Sequence, residues 1–193
     1  MKRQLQRRAA ILCIAAPAIC CWAGSANGLQ TESVKPPEAV SLANVRSVGA
    51  ARLTVWGFQV YDARLWAQSD FSVEAYERCS FALDITYLRS FDSGVIADRS
   101  LKEMRGIGSM SEQQATQWLA QMRKVFPSIA KGDRLVGLYK PGEGASFSLN
   151  GKPAGDIRDA EFARLFFGIW LSPQTSAPQM RRELLGLDST GKR

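Results

Sequence analysis

The sequence predicts an α+β domain, a large antiparallel sheet with a layer of helices on one face. Three observations carry that prediction. Between 45 and 90, apolar residues alternate with polar ones at the period of two that a half-buried strand shows. Residues 115–126 and 162–170 instead repeat apolar residues at the three-and-four spacing of a helix. Strand and helix segments come in blocks, without the regular βαβ alternation of a parallel sheet.

The chain has 193 residues, 46% of them hydrophobic and 22% charged, which suits one globular domain with tails. Residues 1–26 read as an export signal. MKRQLQRR is a basic opening, and AAILCIAAPAICCWA is an apolar run too short for a convincing membrane span. Gly24-Ser25-Ala26 offers small residues for cleavage after Ala26, so a periplasmic or secreted mature protein without a membrane span is expected. Residues 27–44 follow as a polar, proline-bearing leader, the domain proper is expected over 45–186, and 187–193 is a polar tail.

Removing the signal changes two counts. The signal holds Lys2, Arg3, Arg7 and Arg8 and no acid. The 25 basic residues less those four leave 21 against 18 acidic ones, too small an excess to suggest a nucleic-acid surface. Three of the 4 cysteines also fall in the signal, leaving Cys79 alone and no internal disulfide in the mature chain. Its place at the head of an apolar run predicts a buried small hydrophobe. The chain has no histidine, which excludes Ser-His-Asp and Cys-His catalysis and histidine metal sites. No glycine-rich phosphate loop follows a strand. No cofactor and no metal are expected.

The elements follow in order. Leu53, Val55, Phe58 and Val60 alternate with polar residues, and so do Phe81, Leu83 and Ile85. A polar helix is expected over 98–105, ending near Gly106 and Gly108. Ser111-Glu-Gln-Gln114 is a capping box, in which a hydroxyl and a side-chain amide satisfy backbone N–H groups reciprocally. Behind it Ala115, Trp118, Leu119, Met122, Val125 and Phe126 share one face, until Pro127 stops the helix. Strands return with Leu135, Gly137 and Tyr139. Pro141–Gly144 is a turn, and Asn150-Gly151 signals a two-residue hairpin turn because both residues tolerate positive φ. Asp159 can cap the next helix, whose face is Phe162, Leu165, Phe166, Ile169 and Trp170, with Ser172-Pro173 as its stop. A short helix from Pro178 through Leu185 ends at Gly186.

The candidate site lies in the first hairpin, Arg52-Leu-Thr-Val-Trp-Gly-Phe-Gln-Val-Tyr61. A two-residue turn at Trp56-Gly57 would put Arg52 opposite Tyr61, with Leu53–Val60 and Val55–Phe58 paired on the other, apolar face. Arg52, Thr54, Gln59 and Tyr61 would then share a face. A guanidinium beside a phenol hydroxyl is a plausible clamp for a carboxylate or a polarised carbonyl. A solvated face with Arg52 lying over Tyr61 fits the same residues, and Gly57 could instead mark a bulge in one continuous strand.

Several stretches together resemble the chalcone isomerase-like family in its bacterial exported branch. They are Arg52 with Val60-Tyr61-x-Ala63-x-Leu65-Trp66, Leu83-x-Ile85-x-Tyr87-x-Arg89, Gly132-Asp133 leading to Tyr139-x-Pro141-Gly142, and Asn150-Gly151-Lys152 leading to Gly155-x-Ile157. Phe162-Ala163-x-x-Phe166-x-x-Gly168-Ile169-Trp170-Leu171 and the closing Leu184-Leu185-Gly186 complete the set. The resemblance implies an open-faced β-sandwich with a ligand cleft between sheet and helices. It also implies one of two activities known in the family, cyclisation of a phenol onto an enone or non-catalytic binding of fatty acids. Arg52 matches the arginine of both branches. Tyr61 stands where the cyclase has threonine and the fatty-acid-binding branch has tyrosine, and the segment after Arg89 lacks the cyclase's tyrosine, lysine and asparagine.

Three functions are therefore open to the chain. The first is a non-catalytic binder of a small amphipathic acid such as a fatty acid, or more broadly of a small amphipathic or aromatic ligand, at Arg52, Tyr61, Tyr87 and Arg89. The second is an isomerase or lyase in which Arg52 and Tyr61 polarise a conjugated carbonyl. The third is an envelope interaction module with a vestigial cleft.

Overall fold

The computed structural model describes residues 44–188. The export signal and nearly all of the leader lie outside the described residues, as does the tail beyond Asp188. Six strands form one antiparallel sheet in sequence order: β1 (Val45–Val55), β2 (Phe58–Gln68), β3 (Phe81–Tyr87), β4 (Arg134–Lys140), β5 (Gly144–Leu149) and β6 (Lys152–Ile157). A short 3₁₀ turn, Tyr76–Arg78, lies between β2 and β3. Helices α1 (Ser93–Ile107) and α2 (Glu112–Val125) fill the connection from β3 to β4, while α3 (Ala160–Leu171) and α4 (Pro178–Leu184) follow β6. Among the described residues no helix is long and apolar enough to cross a membrane.

The alternation read from the sequence sets which face the helices cover. Ala63, Leu65 and Ala67 of β2, Phe81, Leu83, Ile85 and Tyr87 of β3, and Leu135 and Tyr139 of β4 point into one core with Phe162, Phe166, Phe167 and Leu171 of α3. The ring of Phe166 lies 5.3–5.7 Å from its aromatic neighbours, with Phe167 at 5.3 Å, Phe147 at 5.4 Å and Phe126 at 5.7 Å. The other face carries ion pairs between neighbouring strands, including Arg134 with Asp84 at 2.7 Å, and a small cluster of Trp66, Ala82, Val136 and Leu138.

The capping box forms as expected: the Ser111 hydroxyl accepts from Gln114 N at 3.1 Å, and Ser111 N donates to Gln114 Oε1 at 2.9 Å. Asp159 caps α3 through Oδ1, which accepts from Glu161 N and Phe162 N, while its Oδ2 accepts from Trp118 Nε1 at 2.8 Å. One carboxylate thus starts α3 and ties α2 to it. Asp159→Ala removes both functions and leaves a buried indole N–H unpaired; a loss of about 2 kcal/mol is expected in a urea titration. Asp159→Asn, which keeps the acceptor for the cap, is expected to lose about half of that.

Two expectations shift. Helix α1 starts at Ser93, not at 98. Its N-cap Asp92 makes no side-chain capping bond, and Gly94 in the first turn is a poor helix former, so the usual start signals are missing. Cys79 is only partly buried; its Sγ lies 3.6 Å from Ala75 O. It caps the 3₁₀ turn instead of entering the core, which the chain re-enters two residues later at Phe81.

Candidate functional site

The first hairpin turns at Trp56-Gly57 as expected, with φ of 49° and 80°, the paired positive values of a primed two-residue turn. Val55 pairs with Phe58 and Thr54 with Gln59. Then the register slips. Leu53 pairs with Tyr61, and Arg52 with Asp62, because Val60 is an extra residue in β2. A shift of one residue moves a side chain to the other face of a sheet. The expected pair of Arg52 opposite Tyr61 is therefore not formed, and Arg52 and Tyr61 lie on opposite faces. Arg52 makes a two-pronged ion pair with Asp62, Nε to Oδ1 at 2.5 Å and the terminal nitrogen to Oδ2 at 2.8 Å. The expected apolar face is also broken: Leu53 points to the helices, while Val55 and Phe58 are exposed at the tip.

Tyr61 points under the helices. Its cross-strand neighbour on β3 is Tyr87, and the two rings meet edge to face at 5.8 Å. Phe91 packs on the far side of Tyr87, also at 5.8 Å. The Tyr61 hydroxyl accepts from Trp170 Nε1 at 2.9 Å, so the last turn of α3 sits over it. Its own proton points to the Met180 sulfur of α4 at 4.0 Å, a weak acceptor. The Tyr87 side chain is 7% exposed, and its hydroxyl makes no hydrogen bond among the described residues.

Two charges of α1 lie close enough to act on the Tyr61 phenol. Arg99 and Glu103, one helical turn apart, form an ion pair at 2.5 Å, and Ser176 Oγ donates to Glu103 Oε2 at 2.7 Å. Burial pushes the Tyr61 phenol up to about 12, aided by Glu103 and opposed by the Trp170 hydrogen bond and Arg99. Burial, and to a lesser degree Tyr61, also push Tyr87 upward. Both hydroxyls are thus protonated donors at neutral pH.

Of the four residues expected at the site, the fold brings two together, Tyr61 and Tyr87. Arg89 is exposed beyond the end of β3, with its guanidinium 4.9 Å over the Phe58 ring instead of on the phenols. Trp170 and Met180 complete the polar centre. Trp170 was expected only as an apolar face residue, and neither Met180 nor the Arg99–Glu103 pair was singled out. The i,i+4 spacing of Arg99 and Glu103 is legible in the sequence, but nothing local says that they face Tyr61. A separate cleft of about 440 Å³ opens beside the 3₁₀ turn, lined by Tyr76, Glu77, Arg164 and Gln174 among others. Among the described residues no group of histidine, cysteine, aspartate and glutamate is arranged to hold a metal ion.

The fold recurs in a solved structure, that of an Arabidopsis thaliana fatty-acid binding protein, with a TM-score of 0.60 over 77% of this chain and 90% of that one, at 9% identity. An uncharacterized protein of Haemophilus influenzae is 28% identical over 149 residues, 77% of this chain and 71% of its own length. The profile of the chalcone isomerase-like family matches residues 30–186. The match takes in every strand and helix of the open sheet and its helical layer, and the chain belongs to the chalcone isomerase-like family.

Proposed function

We propose that the protein is a non-catalytic binder of a small amphipathic acid such as a fatty acid. The observation that carries this reading is the pairing of two phenols on neighbouring strands: Tyr87, a 7% exposed residue whose hydroxyl makes no hydrogen bond among the described residues, beside a Tyr61 hydroxyl whose proton reaches only a thioether. Two phenol donors that lack a strong acceptor within the chain are free to give their protons to a ligand. A carboxylate is a far better acceptor than sulfur and would take both protons. Arg99, whose charge acts on the Tyr61 phenol, supplies a positive charge by exchanging part of its pairing with Glu103 for the ligand. The apolar surroundings of Phe91, Leu53 and Trp170 suit the first carbons of a chain. The fatty-acid ligand named for the structurally similar Arabidopsis protein agrees with this chemistry. Export rests on the basic and apolar pattern of residues 1–26.

Lipid extraction and mass spectrometry of the purified full chain test the reading. A co-purified acid is expected with the wild type and not with the Tyr61→Phe/Tyr87→Phe double variant. The Arg52–Asp62 ion pair favours a second reading, an interaction module that binds no acid. No acid in the extract and no saturable uptake of added fatty acid would select it.

A further inference from the structure

The hairpin that carries Tyr61 also carries the most exposed apolar surface among the described residues. Trp56 is 93% exposed, Phe58 60% and Val55 40%. These residues stand past the last β2–β3 pair, Tyr61 with Tyr87, so the tip projects from the sheet. Trp56 holds φ at 49°, a left-handed conformation that bulky residues rarely adopt and that asparagine or glycine would take at less cost. A large indole is thus held in solvent by an unfavourable backbone, the kind of local misfit that marks functional sites.

The charges around the tip indicate what would cover it. From Leu53 to Tyr61 the chain has no charged residue. Arg52 is neutralised by Asp62. Arg89 stacks on Phe58 and has no carboxylate within ion-pair distance among the described residues. Asp92, which precedes α1, is the acid closest to it in sequence. An indole, a phenyl ring and an isopropyl group at the end of a rigid hairpin, with a guanidinium beside them, match the headgroup boundary of a phospholipid bilayer. Tryptophan settles at that boundary, and arginine there meets phosphate. We infer that the Val55–Phe58 tip docks on a phospholipid surface, with Arg89 on the lipid phosphates. Tyr61 lies three residues behind Phe58 along β2, about 10 Å at the rise of a strand, so docking brings the buried phenol pair close to the bilayer. The inference does not depend on what those phenols bind.

The test uses the full chain, with its N-terminal apolar run present in every variant. Partition onto vesicles of phosphatidylcholine, with and without phosphatidylglycerol, is compared for wild type, Trp56→Ser/Phe58→Ser and Arg89→Ala. The double variant is expected to bind at least about tenfold more weakly to both vesicles, and Arg89→Ala to lose the preference for the anionic ones. Brominated lipid is expected to quench more emission in the wild type than in Trp56→Phe, the difference isolating Trp56. Equal partition of wild type and double variant, or equal quenching with and without Trp56, overturns the inference. So does a tip-dependent self-association in solution that leaves vesicle binding unchanged, since the tip would then serve a second copy of the chain.

Discussion

Gly49→Ala is expected to lower stability by about 3 kcal/mol, the upper end of what overpacking costs, and to loosen the site as well. A Cβ at Gly49 would lie 2.2 Å from Glu183 O and 2.5 Å from Leu184 O. These are backbone atoms at the end of α4, and they cannot rotate away as a side chain would. The helix must therefore shift off β1. Met180 and Leu184, both buried, go with it, so the Tyr61 hydroxyl loses the sulfur it faces. Urea titration reads the stability. The fluorescence of Trp170, whose indole N–H bonds to Tyr61, reads the site. A variant with wild-type midpoint and spectrum would show that α4 does not rest on Gly49.

A steep loss of stability is expected between pH 10 and 12. Burial pushes the phenols of Tyr61 and Tyr76 up to about 12 from 10.0 for a free phenol, and raises Tyr87 as well. The native state therefore keeps protons that the unfolded chain releases. This contribution is intact below pH 10 and is lost as the pH rises through the folded values. For Tyr61 it amounts to about 3 kcal/mol, and Tyr76 and Tyr87 add to it in the same direction. The urea midpoint is expected to hold from neutral pH to about 10 and then to fall sharply. Tyr61→Phe, which has no proton to lose, is expected to flatten part of that fall. A midpoint that stays constant to pH 12 would contradict the burial of these hydroxyls.

Much of the fold is legible because it rests on short-range chemistry. The Ser111–Gln114 box, the Asp159 cap and the positive-φ turns at Trp56-Gly57 and Asn150-Gly151 each need only a few neighbouring residues, and each is found. The start of α1 is missed because Ser93–Ala97 lacks such a signal. The site is only half legible for a sharper reason. Whether Tyr61 faces Arg52 or Tyr87 depends on one extra residue, Val60, and a bulge has no strong local signature in the sequence. The two-residue turn at Trp56-Gly57 forms, yet beyond Thr54 the slip exchanges the faces of Arg52 and Leu53 relative to Tyr61. The meeting of Tyr61 with Trp170, 109 positions on, depends on how α3 lies across the sheet, which no local pattern specifies.

Under the proposed function Tyr61 and Tyr87, and not Arg52, recognise the acid. Isothermal titration of a long-chain fatty acid into wild type, Tyr61→Phe, Tyr87→Phe and Arg52→Ala tests this most directly. Each phenol variant is expected to weaken binding about tenfold, the worth of one hydrogen bond to a charged group, while Arg52→Ala, which breaks only an exposed ion pair on the other face, binds as the wild type does. Loss of affinity in Arg52→Ala with both phenol variants unchanged would contradict the account.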